Sequence, residues 1–439
     1  MRGNREKRDK PRLAVISLYS YPLFRPEVES PFGGSEVRVS LIARNLAALG
    51  ELDVQVVVFD HDQPALESID GVTVRAWPGM RCPIPTRRPR GLAAGQAATH
   101  EALKQASKLS FIARAARLYR RWFKPPVSPE SIIARIGPHP ILEKSVSFFR
   151  ELDADVYMMP GNSIVSAELA TWCRLEGRRY VMLSGSDGDF HPDYKKTPEA
   201  AGLYGLPGYF MNATIESASS HIVQNERQVE LLKEHWNRDA TIVRNPVNLT
   251  LEYPRADDPR DILWVGKSDW IKRPGLALDL AARLPDLSFR MVMTFSNKEI
   301  WEEIHARASG LRNVTLIDYT PFNEVEKHFA EARLFLSTSV FEGFPNAFLQ
   351  AAKYGVPIVS LVVDPGQMLN ARGCGVACGD DLGRVADELS SFSADPERYR
   401  RASDAILSYV RMNHDQALIA RQYQAVLNQT LAESEKAAD

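Results

Sequence analysis

Two doubly wound α/β domains are the fold predicted for this chain, and three observations predict it. Short β-branched and aromatic runs alternate with helix-patterned stretches along both halves. At 439 residues the chain exceeds what one compact core of ordinary size organises. A stretch rich in proline and acid, from Asn245-Pro246-Val247-Asn248 through Pro254 to Pro259, separates the two alternating regions and reads as their linker. The expected extents are therefore 1–250 and 251–412, with a closing helix and tail over 413–439.

In the first half, strands are expected at 13–18, 54–59, 72–77, 156–159, 180–183, 221–223 and 241–243, with a helix over 39–49. One stretch inside the resulting insertion, 81–150, breaks the alternation. Between Arg81 and Lys124 there are eleven Lys and Arg against one acid, Glu101, with Leu103, Phe111, Ile112, Leu118, Trp122 and Phe123 interleaved. That pattern fits a basic amphipathic helix for an anionic membrane surface, and equally a solvated helix pair packed on the first domain. In the second half, strands are expected at 262–265, 289–293, 314–317, 334–336 and 357–363. Helices are expected from Pro274 and from Asn297, over 325–332 and from Pro345, with a helix stop at Gly355 and Pro357. Helices over 397–412 and 415–431 close the chain, and residues after 433 are expected to fray.

Composition excludes several classes. Hydrophobic content of 44%, charged content of 25% and a net charge of −1 are those of a mixed globular protein and give no argument for nucleic acid. No nucleic-acid motif accompanies the basic run. Cys82, Cys173, Cys374 and Cys378 have neither disulfide-framework nor metal-ligand spacing, which suits incidental thiols in a reducing cytoplasm. The charged N-terminus, Met1-Arg2-Gly3-Asn4-Arg5, leads into a strand without an apolar signal segment, and no later run reaches membrane-spanning length. A cytoplasmic protein, at most peripheral at the membrane's inner face, is the expectation. The sequons at Asn212, Asn248, Asn313 and Asn428 are then chance matches.

The chemistry concentrates after the strands. Glu342-Gly343-Phe344-Pro345-Asn346 lies on a strand-to-helix loop, where a carboxylate can accept from sugar hydroxyls and free N–H groups at a helix start attract phosphate. Gln350 follows eight residues on, roughly 12 Å away at the helical rise, so the two side chains could touch opposite ends of one nucleotide-sugar. Alone, this run also suits an ordinary βα unit with a surface glutamate. After the first strand of the same half comes Gly266-Lys267-Ser268-Asp269-Trp270-Ile271-Lys272, whose lysines could stabilise negative charge on a departing diphosphate. In the first half, Gly33 and Gly34 follow the first strand and let backbone N–H groups approach phosphate closely. No Gly-x-Gly-x-x-Gly fingerprint occurs in any βα turn.

These motifs resemble the retaining, family-four GT-B glycosyltransferases, whose hallmark is a glutamate, seven residues, and a second glutamate. The resemblance implies two Rossmann-like domains facing a cleft, with the last helix crossing back to the first domain. It implies that Glu342 and the backbone of Gly343 to Asn346 hold the sugar, that Gly266, Lys267 and Lys272 serve the diphosphate, and that Gln350 meets the ribose. Gly33 and Gly34 would face the diphosphate from the other domain. Lys267 stands where relatives have arginine, and Gln350 where they have the second glutamate. Ser184 falls where relatives often place a histidine, so Asp187 or His191 could replace that contact. Asp187-x-Asp189 mimics a metal-binding pair, but the lysines imply metal-independent chemistry with no cofactor. The implied partners are a nucleoside-diphosphate-sugar donor and an acceptor left open among saccharide, lipid-linked sugar and small molecule. A non-catalytic GT-B subunit and a GT-B nucleotide-sugar epimerase are the rival readings.

Overall fold

The computed structural model describes residues 8–28, 30, 32–82, 135–136, 139–200, 206–321 and 324–436. They form two compact units, Met1–Pro246 with Ala417–Asp439, and Val247–Gln416. The basic run expected to meet a membrane falls, from residue 83 onward, outside the described residues.

The first unit contains strands β1 (Arg12–Ile16), β2 (Asp53–Asp60), β3 (Leu66–Ile69), β4 (Val72–Arg81), a small ladder of β5 (Arg135–Ile136) with β6 (His139–Pro140), then β7 (Val156–Pro160), β8 (Arg179–Leu183), β9 (Ser220–Val223) and β10 (Thr241–Ile242). Eight of these make one sheet in the order β10-β9-β8-β7-β1-β2-β4-β3. It is parallel except for the antiparallel β3–β4 pair, so the sheet is mixed. Both faces are covered, and β1 shows how the sequence achieves it. Leu13 and Val15 enter one buried cluster, with Val39, Ile42 and Leu46 of the Gly34–Leu49 helix, while Ala14 and Ile16 enter another with Phe149 and Trp172. Period-two alternation thus sends successive apolar residues into opposite cores, which is why the strand reads as an uninterrupted apolar run. The Gln416–Lys436 helix adds Ile419, Tyr423, Val426 and Leu427 to the cluster of Leu13 and Val15, so the last helix belongs to the first unit's core.

The second unit is one all-parallel sheet of β11 (Asp261–Lys267), β12 (Phe289–Thr294), β13 (Val314–Ile317), β14 (Ala332–Ser337), β15 (Ile358–Ser360) and β16 (Gly375–Ala377). Its order is β13-β12-β11-β14-β15-β16, the doubly wound pattern that reverses between β11 and β14. Again successive residues split between two cores, Ile262 and Trp264 into one, Leu263 into the other.

Several boundaries differ from the sequence reading. The first long helix begins at Gly34, five residues before the expected start, where Glu36 Oε2 reaches back to accept from the Gly33 N–H. The final helix is drawn to Lys436, with Gln429 Nε2 donating to Glu433 Oε1 one turn on at 3.1 Å, and residues 437–439 lie outside the described ones. Strands β3 and β16 were not anticipated, being short and, in Leu66-Glu67-Ser68-Ile69, half polar. The chain passes between units at Pro246–Val247 and at Gln416–Ala417. Within the second unit Val247 bridges Asp415, its N–H donating to His414 O at 2.8 Å. Among the described residues no helix is long and apolar enough to cross a membrane, and the four cysteines are unpaired.

Candidate active site

A parallel sheet presents ligands to the C-terminal ends of its strands, where the order reverses. In the second unit that point lies between β11 and β14, so the loops that follow these two strands form the natural site. They are tied together by main-chain and side-chain bonds. Val340 N donates to Ile271 O at 2.9 Å. Thr338 Oγ1 donates to Lys272 O at 2.6 Å and accepts from the buried Trp264 Nε1 at 2.9 Å. Arg273 holds a left-handed backbone (φ 47°) and donates through Nε to Thr338 O at 2.8 Å. Asp269 Oδ1 accepts from Lys272 N at 2.9 Å. The backbone of Lys272 is therefore held at both its N–H and its carbonyl.

From that fixed backbone Lys272 Nζ reaches Glu342 Oε1 at 2.5 Å, and the two side chains are 24% and 21% exposed. Lys272 also borders a recess lined by Thr338, Ser339, Pro345 and Ala347. A cation and an anion share one partly dry corner, so each is held in place before any ligand arrives. An approaching phosphate is attracted by the ammonium, while hydroxyl groups donate to the carboxylate. Gly266 is required by packing: a Cβ there would lie 2.8 Å from the Trp264 ring and 3.3 Å from Lys272 Cγ. Lys267 ends β11 and is exposed.

Beyond Glu342, Gly343, Phe344 and Pro345 are buried, and the helix runs Asn346–Lys353 with Pro345 as its N-cap rather than inside its first turn. Phe344 packs its ring 4.5 Å from that of the buried His414. Gln350 is half-buried on this helix. Because only the last part of the stretch from Glu342 to Gln350 is helical, the 12 Å separation expected from continuous helical rise does not apply.

The remaining expected site residues lie in the first unit, whose strand order reverses between β1 and β7. Gly33 caps the Gly34–Leu49 helix, but its N–H already donates to Glu36 Oε2 at 2.7 Å, and Ser35 Oγ donates to the same oxygen at 2.9 Å. The Gly33 N–H, a backbone donor expected to meet phosphate, is thus engaged by a carboxylate. Ser184 is fully buried, its hydroxyl turned to Ser186 O at 3.2 Å. Asp187 Oδ1 accepts from Gln228 Nε2 at 3.0 Å and Asn225 Nδ2 at 3.3 Å, and His191 is exposed beside Asp193. Asp189 is fully buried and accepts from Gly185 N at 2.6 Å and Ser186 N at 3.0 Å. Burial pushes its carboxyl up, against the hydrogen bonds that favour the charged form. The two aspartates of Asp187-x-Asp189 therefore serve separate loop contacts, and among the described residues no His, Cys, Asp and Glu cluster could hold a metal ion. His221, buried against Ile215 O at 3.0 Å, is pushed down to about 4 by burial and is a core residue.

The sequence reading missed Thr338, Arg273, Asp269 and Trp264, the residues that position Lys272. Only Asp269 left a local signal, the three-residue spacing at which an Asp side chain caps a following backbone N–H.

Residues 259–395 match the model of the family described as Glycosyl transferases group 1. No curated protein matches the chain. Among solved structures it is similar to sucrose-phosphate synthase from Thermosynechococcus elongatus, at 16% identity and a TM-score of 0.66, over 97% of this chain and 100% of that one. It is similar to a TarM variant from S. aureus, solved with fondaparinux, alpha-GlcNAc-glycerol and UDP, at 12% identity and a TM-score of 0.63, over 95% and 100%. It is also similar to the pneumococcal O-GlcNAc transferase GtfA, solved with UDP and GlcNAc, at 10% identity and a TM-score of 0.62, over 97% and 100%. At such identities the likeness is one of fold, and that fold is GT-B, with a mixed sheet in one unit and an all-parallel sheet in the other. The chain thus carries a segment matching a group 1 glycosyl transferase domain within a fold of the GT-B type.

Proposed function

We propose that this protein is a retaining, metal-independent glycosyltransferase that moves a sugar from a nucleoside-diphosphate donor to an acceptor hydroxyl. The observation that carries the reading is the Lys272–Glu342 pair at the reversal point of the sheet, inside the segment that matches the group 1 domain. In this scheme Glu342 accepts from sugar hydroxyls, the backbone of Gly343 to Asn346 approaches the sugar and phosphates, and Gln350 meets the ribose. Lys267 and Lys272 supply the positive charge that a metal would otherwise bring. The acceptor oxygen bonds to the anomeric carbon on the face that the diphosphate leaves. The bond from that carbon to the phosphate oxygen breaks, and the acceptor proton passes to a phosphate oxygen. The protein contributes orientation and charge stabilisation, and no protein nucleophile is needed.

Thermal-shift titration with UDP-glucose, GDP-mannose and ADP-glucose tests the donor site, and stabilisation by at least one is expected. No stabilisation by any of them would sink it. With the responding donor, proton NMR of the first product should show the donor's anomeric configuration, and EDTA should leave the rate unchanged. Replacing Lys272 with Ala should lower turnover about a hundredfold, the usual cost of removing a charge aimed at the transition state. A non-catalytic subunit is the second reading, favoured by the glutamine at position 350. It requires that no donor hydrolysis occur and that the Lys272 variant behave as the parent. The basic run 81–124 supports a further proposal, docking on an anionic membrane from the cytoplasmic side, checked by co-sedimentation with phosphatidylserine vesicles.

A further inference from the structure

Trp270 is 61% exposed on a loop that the rest of the unit holds firmly. Its ring meets Phe341 edge to face, with centroids 5.7 Å apart and planes at 60°. Such a pair leaves a broad face of at least one ring uncovered by the other. The position is set by the fold. Ile271 and Val340, the chain neighbours of the two rings, are joined by the main-chain bond between the β11 and β14 loops. One residue beyond Ile271 comes Lys272, and the residue after Phe341 is Glu342. Two tied loops therefore present an aromatic pair and an ion pair side by side.

We propose that Trp270 and Phe341 form a platform for the pyranose ring of the donor, and that this platform sets the enzyme's selectivity for the transferred sugar. The inference rests on the donor-site reading above. A pyranose offers a rim of hydroxyls and a face of C–H groups. The carboxylate of Glu342 matches the rim, and an open aromatic face matches the C–H groups, whose burial removes apolar surface of both partners from water. A nucleobase would also stack on such a ring. The sugar is favoured because the hydroxyl acceptor Glu342 adjoins Phe341 in the chain and the diphosphate cation Lys272 lies two residues from Trp270.

The test is calorimetric titration of the parent, Trp270→Ala, Trp270→Phe and Phe341→Ala proteins with UDP-glucose, GDP-mannose and ADP-glucose and with the matching free diphosphates. Expected for Trp270→Ala is about a tenfold loss for the sugar nucleotide that the parent binds, with the free diphosphate within about twofold of the parent. Trp270→Phe should recover most of the loss, and Phe341→Ala should reproduce part of it. An equal loss for sugar nucleotide and free diphosphate would assign the ring to the base or phosphates and overturn the proposal, as would unchanged sugar-nucleotide affinity. Parent protein that binds none of the six ligands would overturn the donor-site reading itself, and this proposal with it. Trp270 is exposed, so its loss empties no core site, and Phe341→Ala gives an independent variant.

Discussion

Arg38 Nη2 donates to the hydroxyl of Tyr423 at 2.7 Å, a bond between side chains 385 positions apart that joins the first long helix to the last. The guanidinium is almost fully buried and meets only neutral acceptors, with Nη1 on Ser184 O at 2.6 Å and Nη2 also on Val243 O at 3.5 Å. One cation thus ties together two helices and the ends of two strand-loop segments of the first unit. Tyr423→Phe keeps the ring in its core and removes only the acceptor. Urea unfolding should show a loss of about 1–2 kcal/mol, the cost of leaving a buried charged donor short of one partner. An unchanged midpoint would mean that the bond contributes nothing net.

Thr338 is the joint between the Trp264 indole and the Lys272 carbonyl. Thr338→Val retains its shape and orphans both groups, so unfolding stability should fall by about 1–3 kcal/mol. Because Lys272 then loses an anchor, kcat should fall more than KM for the donor rises, in the direction of the Lys272→Ala variant. Thr338→Ser, which keeps the hydroxyl, should restore kcat, and failure of that rescue would remove Thr338 from the positioning of Lys272.

Gln350 can exchange hydrogen bonds with ribose hydroxyls but brings no charge. Gln350→Glu should tighten the donor dissociation constant by about threefold to tenfold, since a charged acceptor is the stronger partner. An unchanged constant in calorimetry would show that this side chain does not meet the ribose.

Glu168 is buried on the Ile164–Leu175 helix, with Ser145 Oγ donating at 2.9 Å and Leu142 N at 3.2 Å. Burial pushes its carboxyl from the usual 4.5 up to about 7, against the two hydrogen bonds. A raised folded-state value means that the folded protein holds the proton more tightly. Its stabilising contribution is full below pH 4.5 and is lost as pH rises through 7. Glu168→Gln is uncharged throughout, so its stability relative to the parent should improve between pH 5 and pH 8 by on the order of 2 kcal/mol. A pH-independent difference between the two proteins would contradict the raised value.

Alternating apolar runs in the sequence were enough to place most strands of both sheets and the two-unit architecture, because a strand buried on both faces must be apolar throughout. The Gly-Pro stop and the loop carrying Glu342 were equally legible, since helix ends and strand ends leave local residue signatures. Short strands such as β3 and β16 were not, for their pairing rather than their composition makes them strands.

The sequence by itself determined the fold class, the order of the longer elements and the loops on which charged residues would lie. Only the tertiary structure decided who meets whom. It paired Lys272 with Glu342, 70 positions away, set Thr338 between the Trp264 indole and the Lys272 carbonyl, and brought Tyr423 onto Arg38. The reason is physical: periodicity is a property of neighbouring residues, whereas a hydrogen-bond partner and a local dielectric are properties of segments that the sheet brings together from far apart in the chain.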